Sequence, residues 1–162
     1  MMRRYLAVSA VVLVLDQLSK LAATRWLDYR VEVPVAPFFN LSLAHNRGAA
    51  FSFLSDASGW QHWFFSGIAL IVSVVIVLWL RRLKPEERQV GWALSLVLGG
   101  AIGNVVDRLR LGYVVDFVDF YVGAWHWPTF NVADSAISVG AVLLALDAFG
   151  IRVFGRSGAR SP

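Results

Sequence analysis

Tyr5–Ala23 reads YLAVSAVVLVLDQLSKLAA, and MMRR stands before it. A basic start followed by an apolar run has the n-region and h-region of a secretory leader. The run continues, however, through Asp16–Ala23, and no clear small-x-small cleavage site follows it. Its length approaches the ~20 residues that cross a bilayer. The stretch is therefore expected to be a retained first helix. Three later stretches, Trp63–Leu80, Val90–Val106 and Val132–Phe149, approach the same length. The chain is 57% hydrophobic and only 16% charged, too little charge for a soluble domain of 162 residues. The expectation is one integral membrane domain, mainly α, with spans at about 5–23, 63–80, 90–106 and 132–149. Nothing suggests a separate soluble domain, a repeat or a low-complexity region.

Lysine and arginine placement orients the spans. One side holds Arg3, Arg4, Arg81, Arg82, Lys84, Arg88, Arg152, Arg156 and Arg160 in short tails and one short loop. The other holds Arg25, Arg30, Arg47, Arg108 and Arg110 in two much longer loops. Both termini are thus expected to face the cytoplasm and the long loops to face outward. The net charge of +4 is a topology signal. Its residues are not interleaved as a nucleic-acid surface requires, so no nucleic-acid partner is expected. All seven tryptophans lie near predicted span ends, where indole prefers the interface. The absence of cysteine excludes disulfides, thiol catalysis and Cys-ligated zinc. His45, His62 and His126 show no ligand spacing, so no metal is expected.

The first outer loop alternates as strands do in Val31–Val35, Phe38–Ala44 and Phe51–Leu54, with a glycine-bearing turn in HNRGAA, His45–Ala50. Ser55–Trp60 reads as a loop or short interfacial helix. In the second outer loop, Gly112–Tyr121 alternates in part and Gly123–Pro128 is an aromatic tip suited to the headgroup layer. A small sheet on the outer face is expected. Arg81–Gln89 is a charged hairpin connector, with Pro85 ending the second helix.

Ionisable groups in membrane helices are costly, so each asks for a reason. Asp16 and Lys20 are i, i+4 and can pair on one face of the first helix. Ser19 and Lys20 make a poor dyad, because adjacent residues point about 100° apart. Gly99 and Gly103 suit close helix packing. Asn104 and Arg108 share a face near the outer surface, either snorkelling or lining a site. Asp107 could pair with Arg110. Asn131-x-x-Asp134 resembles a capping box, and an acid there also complements the helix dipole. Asp116 in the second outer loop could be a solvated turn residue. Two carboxylates at one low-dielectric surface would instead share a proton, one activating water and the other polarising a carbonyl.

The order DQLSK (Asp16–Lys20), NRGAAFS (Asn46–Ser52), GGAIGNVVDR (Gly99–Arg108), VVDF (Val114–Phe117) and FNVADS (Phe130–Ser135) resembles the lipoprotein signal peptidase, or signal peptidase II, family across nearly the whole chain. The resemblance implies an aspartic endopeptidase of the bacterial inner membrane. It would free the signal peptide from prolipoproteins by cutting just before a diacylglyceryl-modified cysteine. It also implies a four-transmembrane-helix bundle with an outward-facing β-cradle, an active site near the outer face, contact with membrane lipid, a monomer and no cofactor. The catalytic pair falls on Asp116 and Asp134. Asn104, Arg108, Asn131 and Ala133 fall on positions lining the site, Asn46 and Arg47 near substrate, and Asp16 and Lys20 on a supporting cluster. Two readings compete: a serine peptidase using Lys20, and a non-enzymatic proton or ion pathway through Asp16, Asp134 and Asp147.

Overall fold

A computed structural model describes residues 1–48 and 60–154. The expected strand at Phe51–Leu54, most of the loop after it, and Arg156 and Arg160 lie outside the described residues. The described chain is mainly helical, with a small antiparallel sheet. Helix α1 (Met2–Trp26) is followed by strands β1 (Glu32–Ala36) and β2 (Phe39–Asn46), helices α2 (Gln61–Arg82) and α3 (Arg88–Leu111), strands β3 (Val114–Val122) and β4 (Trp125–His126), and helix α4 (Val132–Ala148). Among the described residues, three helical stretches are long and apolar enough to cross a membrane: Met2–Trp26, His62–Arg82 and Arg88–Leu111. α4 has 17 residues, or about 26 Å at 1.5 Å per residue.

Burial explains how these helices meet. α1 turns Val11, Leu18 and Leu21 outward and buries Ser9, Asp16 and Lys20. α2 likewise exposes Ile68, Ile71, Val74 and Val75 while burying Ser66 and Ser73. Apolar outside and polar inside is the distribution a lipid solvent selects. α3 packs against all three other helices. Tyr5, Ile76, Leu80, Val90, Leu94 and Leu98 form one core cluster, and Ala23, Leu43 and Val115 join α1 to the sheet in a second.

Small residues on α3 permit this central position. A Cβ on Gly99 would meet the Ser9 carbonyl and Val12 of α1. On Gly100 it would strike the Ala133 carbonyl oxygen and come 2.8 Å from an Ile137 carbon on α4. Gly100→Ala is expected to cost about 1–3 kcal/mol, the range for overpacking. Gly67→Ala is the control, because its Cβ would meet nothing within 4 Å. Thermal unfolding in detergent should show a lowered midpoint for the first and none for the second. Equal midpoints would contradict the packing argument.

The strands lie in the order β1-β2-β3-β4, each antiparallel to the next. β2 extends past the expected end at Ala44 because β3 continues to pair with it. His45 faces Val115 and Asn46 faces Val114. Gly112 closes α3 at φ 78°, a left-handed conformation that favours glycine. The chain then turns directly into β3. The Phe130 carbonyl accepts from the Phe117 and Val118 N–H groups. This bond ties the entrance of α4 to β3 and sets the geometry that follows.

Candidate active site

Three elements converge on two carboxylates. Asp116 comes from β3, Asp134 from the first turn of α4, and Asn104 from α3. Asn131, the N-cap of α4, connects them. Its Oδ1 accepts from the Asp134 N–H at 2.8 Å, and its Nδ2 donates to Asp116 Oδ1 at 2.6 Å. The same Nδ2 lies 3.3 Å from Asn104 Oδ1. Asn104 Nδ2 in turn donates to Asp134 Oδ1 at 2.7 Å. Asn46 closes the other side, its Nδ2 donating to Asp116 Oδ2 at 3.1 Å and its Oδ1 accepting from the Gly48 N–H. The helix cap expected at Asn131 is therefore present, while the Asp134 carboxylate is turned toward Asn104.

The first-helix pair is part of a larger cluster. Lys20 Nζ lies 2.9 Å from Asp16 Oδ2, 2.9 Å from Asp107 Oδ2 and 2.9 Å from Asn104 Oδ1. All three N–H donors of the ammonium are engaged. Asp16 Oδ1 accepts from the Ala133 N–H, and Asp107 Oδ2 from the Val115 N–H. Gln17 Nε2 reaches both carboxylates. Asp107 thus pairs across helices with Lys20, while Arg110, its expected local partner, is exposed. Ser19 donates to the Asp16 carbonyl, as a helical serine does. Ala133 is buried against Asp16 and Gly103, behind the carboxylate pair.

In front of the pair lies a cavity of about 1070 Å³. Asp116, Asp134, Asn104, Asn46, Arg47 and Arg108 all line it. One wall is the α4 face Ser135, Ile137, Ser138 and Val139. Arg108 donates to the Asn104 carbonyl at 3.4 Å, and its Nε is buried with no hydrogen-bond partner among the described residues. Burial pushes the Asp116 carboxyl up to about 7. The nearby Asp134 carboxylate adds to the rise, against the Asn46 and Asn131 donors and Lys20. An acid poised near neutrality beside a second acid is equipped for proton transfer.

Gln17 and Asp107 complete the supporting cluster and were not singled out as site residues. Gln17 stands next to Asp16 in the sequence, but its other partner, Asp107, lies 90 positions away, so sequence adjacency does not reveal the contact.

Residues 8–150 match the family described as Signal peptidase (SPase) II. A lipoprotein signal peptidase of Alteromonas mediterranea is 51% identical over 146 residues, covering 90% of this chain and 80% of that protein. Its counterpart in Cupriavidus taiwanensis is 54% identical over 143 residues, covering 88% and 81%. A solved bacterial membrane enzyme superposes with a TM-score of 0.80 at 29% identity, covering 91% of this chain and 88% of the other. A second bacterial membrane enzyme gives 0.78 at 27%, covering 90% and 92%. With matched sequence from α1 to the end of α4 and a shared fold, the chain belongs to the signal peptidase II family.

Proposed function

We propose that the chain is an aspartic endopeptidase that removes signal peptides from diacylglyceryl-modified prolipoproteins, with Asp116 and Asp134 as the catalytic pair. The carrying observation is their placement on one cavity, joined through Asn131 and Asn104. One proton shared by the two acids leaves one carboxylate able to take a proton from water. The protonated partner donates to the scissile carbonyl oxygen as the hydroxide adds to its carbon. Collapse of the tetrahedral intermediate breaks the C–N bond, and a proton passes to the departing amine of the cysteine. Asn46 and Asn131 hold Asp116 in place. Arg108 and Arg47 offer cationic donors to substrate along the cavity.

We read α4 as a fourth span, both termini as cytoplasmic and the sheet as an outward-facing cradle, from the basic residues on the α2–α3 connector and both tails. The α4 wall of the cavity supports lateral entry of a substrate whose acyl chains stay in the bilayer. The serine alternative is disfavoured because Lys20 is held by two carboxylates, and the ion-pathway alternative by the family match.

The test is cleavage by the purified protein of a precursor with and without its diacylglyceryl group. The modified precursor should yield a product beginning at the lipidated cysteine, with no inhibition by serine-directed reagents. Failure on the modified precursor, or inhibition by those reagents, would reject the proposal. A pH profile adds a second check. Because the folded Asp116 carboxyl ionises near 7, the shared proton is lost as pH rises through that value. kcat/KM should therefore fall on an alkaline limb centred near neutrality, and a flat profile to pH 9, roughly two units higher, would contradict the shared-proton mechanism.

A further inference from the structure

Away from the cavity, each strand contributes one polar residue to a single cluster. Glu32 comes from β1, Asn40 from β2, Asp119 from β3 and His126 from β4. Asn40 stands opposite Asp119 in the β2–β3 register. His126 Nδ1 is 3.0 Å from both Asp119 oxygens. One ligand atom from each of Glu32, Asp119 and His126 lies within 4.8 Å of the other two. Asp119 and Asn40 are buried at the base, while Glu32 and His126 are exposed at the rim. The cluster is therefore anchored in the sheet and open to solvent.

Two features are unexplained by packing. Neither Glu32 nor Asp119 forms an ion pair with lysine or arginine among the described residues, so even a protonated His126 leaves the group with net negative charge. With His126 neutral, as a ligating imidazole is, the buried Asp119 carboxylate has no cationic partner among the described residues, which is costly. In addition, Asn40 Oδ1 is buried with no hydrogen-bond partner among the described residues. Its Nδ2 points into the cluster, 3.2 Å from Asp119 Oδ2 and 3.5 Å from Glu32 Oε2. A half-turn of the carboxamide exchanges N and O with little change in shape. It gives up the two Nδ2 donations and aims Oδ1 between the carboxylates, where a cation would satisfy all three groups.

We propose that Glu32, Asp119 and His126, with the Asn40 carboxamide oxygen, bind a divalent transition-metal ion of the zinc class. The mixed imidazole and carboxylate set selects zinc-like ions over calcium and magnesium, which favour oxygen alone. Three protein ligands with a water, or four with Asn40, complete a tetrahedral site. Bonds of about 2.1 Å place tetrahedral ligand atoms about 3.4 Å apart. Small rotations of the exposed Glu32 and His126 side chains supply that spacing. The bound ion would fasten β4 to β3 and so fix Trp127, which follows His126 and lines the cavity.

The experiment is calorimetric titration of the full chain in detergent, with any affinity tag removed and metals stripped by chelator. ZnCl2 should bind with one-to-one stoichiometry, raise the unfolding midpoint and resist competition from excess MgCl2. Loss of a ligand's hydrogen-bond partner already weakens metal sites about tenfold, so His126→Ala and Glu32→Gln should each weaken binding at least as much. Their exposed positions keep the fold testable, and the double variant should not bind. No zinc binding by the wild type, or undiminished binding by the double variant, would overturn the assignment.

Discussion

Asp116→Asn is expected to abolish prolipoprotein cleavage, a loss of at least about 10²–10⁴-fold, the range for a general acid or base, while making the protein more stable above neutral pH. The two effects share a cause. The folded Asp116 carboxyl ionises near 7, and the unfolded one near the ordinary aspartate value of about 3.9. Between these values the folded chain holds a proton that the unfolded chain releases. The group's contribution is complete below the lower pKa, declines as pH rises through the window, and stays low above it. Asparagine does not titrate, so its advantage should be absent near pH 4 and largest above about 7. A shift of about three units sets a ceiling near 4 kcal/mol. The gain should be smaller, about 1–2 kcal/mol, because Asn46 and Asn131 both donate to this carboxylate and one donor would lose its acceptor. Unfolding midpoints at acidic and alkaline pH, beside the cleavage assay, read both effects. A variant that still cuts normally, or is less stable than wild type in alkali, would refute the assignment.

Asp134→Asn separates chemistry from helix capping. The cap bond runs from the Asp134 backbone N–H to Asn131 Oδ1, so it survives the substitution. Only the favourable charge at the helix N-terminus is lost, about 0.3–1 kcal/mol. Full loss of cleavage with a near-normal unfolding midpoint would therefore assign the defect to the carboxyl group. Normal cleavage would reduce Asp134 to a cap.

The helices were legible as apolar runs, and three of them are long and apolar enough to cross a membrane among the described residues. Their ends were less so: α1 continues through Thr24, Arg25 and Trp26, polar and interfacial residues that helix hydrogen bonding carries past the hydropathy signal. The strands at Val31–Val35 and Phe38–Ala44 were visible as alternation and shifted by only one or two residues. The meeting of Asp116 with Asp134 was not visible in spacing. It depends on the Phe130 carbonyl bonding to β3, a backbone contact that leaves no mark on side-chain pattern. Asp107 illustrates the same limit. Arg110 was the near neighbour in sequence, but it is exposed, and the buried Lys20 had the greater need of an anion. The cluster of Glu32, Asp119 and His126 likewise draws single residues from separate strands, so no ligand spacing announces it.

Lys20→Met is expected to be the most destabilising of the single substitutions. The ammonium holds Asp16, Asp107 and Asn104 together in a fully buried setting. Without it two carboxylates remain, each with only neutral donors: the Ala133 N–H and Gln17 for Asp16, and the Val115 N–H and Gln17 for Asp107. Breaking a buried ion pair by deleting one partner costs about 3–5 kcal/mol, roughly 10 °C in the unfolding midpoint of a chain this size. Cleavage should fall as well, because the Lys20 donor fixes the Asn104 carboxamide with its Nδ2 toward Asp134. A charge-balanced variant, Lys20→Met with Asp16→Asn and Asp107→Asn, distinguishes the two consequences. Removing every charge of the cluster relieves the desolvation penalty and should return much of the lost stability. It leaves Asn104 Oδ1 without its strong donor, so cleavage should recover less than the midpoint does. Equal recovery of both would make the cluster purely structural. A single Lys20→Met variant that unfolds at the wild-type midpoint would show that the buried ammonium does not hold α1 and α3 together.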